Sequence, residues 1–204
     1  LKRFLSQQAR KPSGLFGRFV ARLIFDKGNR VVNDLMTQLV DVQKDETTLE
    51  IGFGPGAVIK RMADKIGDGV VHGIDFSDAM MDVARKRNRR YIEDGRVQLT
   101  HAKFETADYA PESFDTVCSA NTIYFWEDQP AICAHIYILL KPGGKVVLAF
   151  MDKAKMETLP LDMELFNTVS PAEVETMLLQ AGFASTTAHQ SPGNKFQHCV
   201  VGVK

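Results

Sequence analysis

Short apolar runs rich in β-branched residues alternate along this chain with segments whose apolar positions return every three or four residues, a pattern that predicts an α/β fold. The strand runs are Thr48 to Gly52, Val70 to Asp75, Val97 to Thr100, Phe114 to Ala120 and Lys145 to Phe150. Helical segments lie between them at Ala57 to Ile66, Asp78 to Tyr91 and Asp128 to Leu140. In the last of these, Ala131, Ile132, His135, Ile136, Leu139 and Leu140 hold one face. Strands separated by helices pair in parallel through right-handed crossovers.

Punctuation supports these boundaries. Lys141-Pro142-Gly143-Gly144 stops the third helix and turns the chain into the fifth strand. Ser170-Pro171-Ala172-Glu173 reads as an N-cap with a capping box, and that helix runs to about Ala181 with Gly182 closing it. Ser185 to His189 and Phe196 to Val203 then form a hairpin around Ser191-Pro192-Gly193-Asn194. The expected architecture is a doubly wound, mostly parallel seven-stranded sheet with an antiparallel C-terminal strand. At the other end, Leu15, Phe16, Phe19, Val20, Leu23 and Ile24 share one helical face, with Arg18 and Arg22 pointing elsewhere. Residues 1–204 are read as one domain, of which residues 1–45 are an N-terminal helical extension.

At 204 residues and 45% apolar composition the chain can bury a substantial single core. A net charge of zero argues against a general nucleic-acid binder. The charge is uneven, with eight Lys/Arg and one acid, Asp26, in residues 1–33. That basic arm is either a solvated helix face or a contact for an acidic substrate or a membrane surface. Its composition would also suit an organellar transit peptide, but it is read here as part of the fold. No run of about 18 apolar residues spans a bilayer. Cys118, Cys133 and Cys199 are odd in number and lack metal-ligand spacing, so no metal or disulfide framework is expected and the cytoplasm is the default location.

The stretch Leu49-Glu-Ile-Gly52-Phe-Gly54-Pro-Gly56-Ala57 is where chemistry enters, because it follows a strand directly and bares the backbone to a ligand. Asp75 closes the second strand 23 residues after Gly52, where a carboxylate can accept both hydroxyls of a ribose, and Phe76 can lie against an adenine. The literal match to G-x-G-x-x-G/A admits a nicotinamide dinucleotide. Glu50 and Pro55 turn the choice away from it, since a carboxylate beneath the loop suits an ammonium and not a pyrophosphate.

At these residues the sequence resembles the class I S-adenosylmethionine-dependent methyltransferases, whose first motif E/D-x-G-x-G-x-G stands here as Glu50-Ile-Gly52-Phe-Gly54-Pro-Gly56. The resemblance covers roughly residues 47 to 203. It takes in Asp75, Phe114-Asp115, Leu140 to Gly144 and the antiparallel last strand. It implies a Rossmann-like fold and S-adenosylmethionine as cofactor, with S-adenosylhomocysteine as product. The Gly52 to Gly56 loop would line the methionine moiety, Asp75 would hold the ribose, and Asn121 would pass beside the methionine portion. The chain departs from the family at Ala102-Lys103-Phe104, where an aspartate commonly accepts from the adenine amino group. Lys103 cannot accept that bond, so Phe104 would cover the adenine face and Glu105 supply an acceptor.

By the same resemblance Asn121-Thr-Ile-Tyr124-Phe-Trp126-Glu-Asp128 forms the acceptor wall, with Tyr124 and Trp126 as the substrate contacts. Phe16, Phe19 and Leu23 on the leading helix have the character of a lid, or else of a helix capping the sheet edge. Methyl transfer is an in-line displacement that asks mainly for alignment and exclusion of water, so no catalytic base is assigned. His72 and His101 are the histidines nearest strand ends, but a structural role is the simpler reading of each. The expected acceptor is a small, partly apolar molecule such as a quinone-like or lipid-like compound. The competing functions are an NAD(P)-dependent oxidoreductase and a cofactor-binding relative without turnover.

Overall fold

The computed structural model describes residues 29–204 together with Arg3 and Ser6. The leading helix expected around residues 15–24, with Phe16 and Phe19, lies outside the described residues. From Asn29 onward the elements are α1 (Arg30–Val40), β1 (Thr47–Ile51), α2 (Ala57–Ala63), β2 (Val70–Asp75), α3 (Asp78–Arg87), α4 (Arg89–Glu93) and β3 (Val97–His101). They continue with β4 (Phe114–Ala120), α5 (Gln129–Leu139), β5 (Leu140–Met151), α6 (Lys153–Met156), α7 (Pro171–Gln180), β6 (Ser185–Ser191) and β7 (Asn194–Val203). Among the described residues no helix is long and apolar enough to cross a membrane.

The seven strands lie in the order β3-β2-β1-β4-β5-β7-β6. Strands β1 to β5 pair in parallel, and β7 runs antiparallel to both β5 and β6. This is the mostly parallel sheet with a reversed C-terminal strand that the sequence predicts. From β1 the chain builds outward through β2 and β3, then returns to place β4 on the other side of β1. The resulting crevice, at the carboxyl ends of β1 and β4, is where open α/β sheets receive ligands.

Because helices cover both faces, the central strands are apolar on both sides. In β5, Val146, Leu148 and Phe150 join the cluster that holds Ile132, Ile136 and Leu139 of α5 and Val174 and Leu178 of α7. Val147 and Ala149 join the opposite cluster, with Val32, Met36 and Val40 of α1 and Ile59 and Met62 of α2. Helix α1 is therefore a core element, although the sequence reading assigned residues 30–40 no helix of their own.

Three boundaries differ from expectation for identifiable reasons. Strand β5 begins at Leu140, five residues early, because Leu140 already pairs with Phe114 while Lys145 pairs with Thr116, and Lys141 to Gly144 loop out between the two. Gly143 takes φ +77°, and a side chain on Gly144 would meet the carbonyls of Asp115 and Lys141 at 2.9 Å. The second predicted helix is split at the fully buried Asn88 into α3 and α4. Asn88 Nδ2 donates to the carbonyls of Gly56 (3.1 Å) and Ala84 (3.0 Å), so the helix end is tied to the glycine loop. The first predicted helix ends at Ala63 rather than Ile66. The capping box of α7 is present, with Glu173 N–H donating to Ser170 Oγ at 3.4 Å and Ser170 N–H donating to Glu173 Oε2 at 2.7 Å.

Replacing Asn88 with Ala removes both bonds, leaves the Gly56 carbonyl with the Lys60 N–H alone and unties the helix end from the glycine loop. Chemical denaturation is expected to record a loss of about 1–3 kcal/mol with an unchanged denaturant slope.

Candidate active site

A cleft opens over the crevice between β1 and β4. It encloses about 740 Å³ when its solvent-open part is counted. Its floor is the turn from β1 into α2. Gly52 N–H donates to Ile74 O at 2.7 Å, and Gly56 N–H closes the turn onto Phe53 O at 2.9 Å. Gly52, Gly54 and Gly56 all take left-handed backbone, at φ +70°, +52° and +72°. Gly52 must also pass Thr122, whose Cγ2 a side chain there would strike, and Gly56 abuts Ala84 and Asn88 of the neighbouring helix region. Around Gly54 nothing lies within 4 Å of where a side chain would begin. The middle of the loop is thus bare for reasons other than packing.

Two carboxylates sit beneath and beside this loop. Asp75, at the end of β2, is 8% exposed and accepts from Gly54 N–H through Oδ2 and from Ser77 N–H through Oδ1, both at 2.9 Å. Burial raises its pKa, and the Ser77 and Gly54 bonds oppose that shift. Glu50, in β1, is 2% exposed, and its Oε2 has no hydrogen-bond partner. Burial first, and the neighbouring Asp75 charge second, hold its carboxyl well above the usual carboxylate range. Such a group is chemically ready for a cationic, hydrogen-donating ligand.

The far wall comes from the end of β4. Asn121 adopts a left-handed conformation at φ +55° and donates its N–H to Ala149 O at 2.8 Å. Ser119 Oγ donates to Ile51 O at 3.0 Å and meets the Thr122 hydroxyl, binding the two strand ends together. The short helical turn Ile123–Phe125 then directs alternate side chains in opposite ways. Phe125 lines the cleft. Tyr124 and Trp126, expected as substrate contacts, are each 4% exposed and belong to the core beneath α5. The Tyr124 hydroxyl lies 3.1 Å from Asn121 Oδ1 and takes the Met151 N–H, so it braces the wall from behind.

Of the remaining expected residues, Glu50, Gly52, Gly54, Pro55, Asp75, Phe76 and Asn121 line one cleft. Gly56 stands just behind them as the residue preceding α2. Lys103 is exposed and away from the cleft, and Phe104 is buried against His135, with ring centroids 4.9 Å apart. Phe104 therefore packs α5 and does not cover a ligand. Neither His72, edge-on to Phe114, nor His101, 3.4 Å from Asp78, reaches the cleft. Burial pushes the Cys133 and Cys199 thiols up to about 12, and that of Cys118 well above its usual value, so none is an activated nucleophile. Among the described residues no three His, Cys, Asp or Glu side chains gather as a metal site.

A family profile described as a methyltransferase domain matches residues 48–144. Over 134 residues the chain is 31% identical to the uncharacterized methyltransferase YdaC of Bacillus subtilis, an overlap of 66% of this chain and 72% of that protein. The chain belongs to the class I S-adenosylmethionine-dependent methyltransferases. S-adenosylmethionine is accordingly the cofactor of this methyltransferase, and nothing favours an oxidoreductase. The methyltransferase is also 30% identical over 109 residues to demethylmenaquinone methyltransferase of Oceanobacillus iheyensis, covering 53% of this chain and 45% of the relative. Phosphoethanolamine N-methyltransferase 2 of Haemonchus contortus, solved with phosphomonomethylethanolamine and S-adenosylhomocysteine, superposes with a TM-score of 0.73 at 19% identity. That match covers 92% of this chain and 57% of the other, and it establishes a shared fold.

Sequence reasoning missed Asn29 and Asn33, and it held Thr122 and Phe125 only as members of the acceptor wall; all four lie on the cleft of the methyltransferase. A signal existed for the first two. Val32, Met36 and Val40 recur at helical spacing, and Asn29 and Asn33 lie one turn apart beside that stripe.

Glu50 ionises at higher pH in the fold than its usual 4.5. Between those two values the unfolded chain sheds its proton first, so the fold loses stability as pH rises. In Glu50→Gln this loss disappears. Melting temperatures of the ligand-free variant and wild type are expected to diverge as pH rises above 4.5, in favour of the variant.

Proposed function

We propose that the cleft binds S-adenosylmethionine with its amino-acid end over Gly52 to Gly56 and its ammonium at Glu50. The ribose hydroxyls fall to the Asp75 carboxylate, and the adenine lies beside Phe76. The observation that carries this reading is the buried, unpartnered Oε2 of Glu50 beneath a loop stripped of side chains. An ammonium supplies the missing donors and offsets the burial of the carboxylate.

The cofactor supplies a methyl group already activated on a sulfonium. The protein's part is to hold the acceptor in line behind that carbon and keep water out. As the acceptor's lone pair bonds to the methyl carbon, the carbon–sulfur pair returns to sulfur, and any acceptor proton leaves to solvent. No histidine lines the cleft, so residues here act by positioning: Asn121 and Thr122 offer polar contacts and Phe125 an apolar one.

The acceptor we infer is small and partly apolar, of quinone-like character. Phe125 faces the cleft with Phe166 behind it, ring centroids 5.4 Å apart, and the relative acting on demethylmenaquinone is named for such a compound. Near the N-terminus, the buried Ser6 hydroxyl accepts from Asp162 N–H at 2.9 Å in the segment after β5.

Calorimetric titration of the wild type with S-adenosylhomocysteine and with a nicotinamide dinucleotide is expected to give binding only for the former. Asp75→Ala and Gly54→Val should each weaken it at least about tenfold, the first by losing charged hydrogen bonds and the second by forcing a β-branched residue into left-handed backbone. Undiminished affinity in both variants would remove the site assignment. Release of S-adenosylhomocysteine is expected with the reduced, hydroquinone form of a demethylated quinone as acceptor, and turnover confined to phosphoethanolamine would overturn the apolar-acceptor reading.

A further inference from the structure

Seven buried side-chain polar atoms have no hydrogen-bond partner among the described residues, and only two of them belong to residues on the cleft. One is Glu50 Oε2. The other is Asn33 Oδ1, contributed by a helix that precedes the glycine motif altogether.

Asn33 has no evident structural occupation for this oxygen. The N-cap of α1 is Asn29, and no side chain caps the helix. Thr37 Oγ1 bonds the Asn33 backbone carbonyl at 2.6 Å, which leaves the side-chain amide unaffected. Its neighbour Asp34 points to Arg61, 2.5 Å away, while Val32 and Met36 enter the core. Leaving a buried carbonyl oxygen unpaired costs about 1–3 kcal/mol, and an apolar side chain at this position would avoid that cost. Both orphaned atoms are acceptors, and both belong to residues that line the same cleft. A primary ammonium carries three donors and no acceptor, which matches a pair of acceptors where a hydroxyl or an anion does not.

We propose that Asn33 is a further cofactor-binding residue, its side-chain oxygen accepting from the ammonium of the amino-acid end opposite Glu50. This rests on the cofactor placement proposed above and extends it to α1. The helix becomes part of the binding site, and its amide makes the site selective for ligands that carry the amino-acid tail.

The test pairs two probes that share the nucleoside thioether. S-adenosylhomocysteine has the amino-acid end and 5′-methylthioadenosine lacks it. In Asn33→Ala, calorimetry is expected to show S-adenosylhomocysteine weakened at least about tenfold while 5′-methylthioadenosine binds as in the wild type. Unchanged S-adenosylhomocysteine affinity, or equal loss for both probes, would overturn the role of Asn33. Asn33→Asp keeps an oxygen acceptor and is expected to retain S-adenosylhomocysteine. Loss of that ligand in a folded Asp variant would overturn the assignment as well, and it also serves if the Ala variant does not fold. Failure of the wild type to bind S-adenosylhomocysteine would instead strike the cofactor placement itself.

Discussion

Burial of a carboxylate with an unfilled acceptor at the end of β1 is the constraint around which this cleft is organised. Glu50 is enclosed by strands on both sides, and its ionised form is costly there without a counter-charge. Core positions in a parallel sheet are normally apolar, and Leu49 and Ile51 on either side of it obey that rule. The sheet can carry Glu50 because it lies at the strand's carboxyl end, where three of the next six residues, Gly52, Gly54 and Gly56, have no side chain. The same burial that penalises the empty charge strengthens its attraction for a cation, since the low dielectric acts on both.

The bare loop in turn depends on neighbours that hold it from outside. Asp75 fastens the middle of the loop by accepting from Gly54 N–H, and Asn88 fastens its end through Gly56 O. Ser119 ties the β1 end to β4. Three different elements thus fix the turn, whose own Phe53 packs into the core. Asp75 is a strut in this arrangement and, in the proposed placement, also meets the ribose, so a change there disturbs shape and affinity together.

Much of this was readable from the residues, because it follows from strictly local requirements. The alternation of strand and helix periods, the capping box at Ser170 and Glu173, and the hairpin turn at Pro192-Gly193 are each specified by a few neighbouring side chains. The glycine spacing after a strand and an acid closing the next strand placed the cleft for a similar reason. What was not readable depended on which way a side chain turns once packed. Tyr124, Phe125 and Trp126 look alike as consecutive aromatics, yet a single helical turn sends Phe125 to the cleft and its neighbours to the core. Phe104 likewise found His135 on α5, a partner more than 30 residues away that no local pattern announces. Asn33 escaped notice because its significance lies in an absent bond.

The aromatic turn after β4 is braced independently of the glycine loop. Asn121 sits in left-handed backbone, which Asn tolerates better than most residues but still at some cost. Tyr124 meets that cost from behind, its hydroxyl bridging Asn121 Oδ1 and the backbone at Met151. Burial pushes the Tyr124 pKa far up, so the phenol stays neutral and keeps its donor at any working pH. The residue that looked like a substrate contact is therefore a support, and it holds the β4 and β5 ends at a fixed spacing. With that spacing rigid, selectivity toward the acceptor falls to groups that can change without unsettling the sheet, of which Phe125 and the segment between β5 and α7 are the nearest. A methyltransferase can in this way keep one cofactor site while its acceptor wall is rebuilt residue by residue.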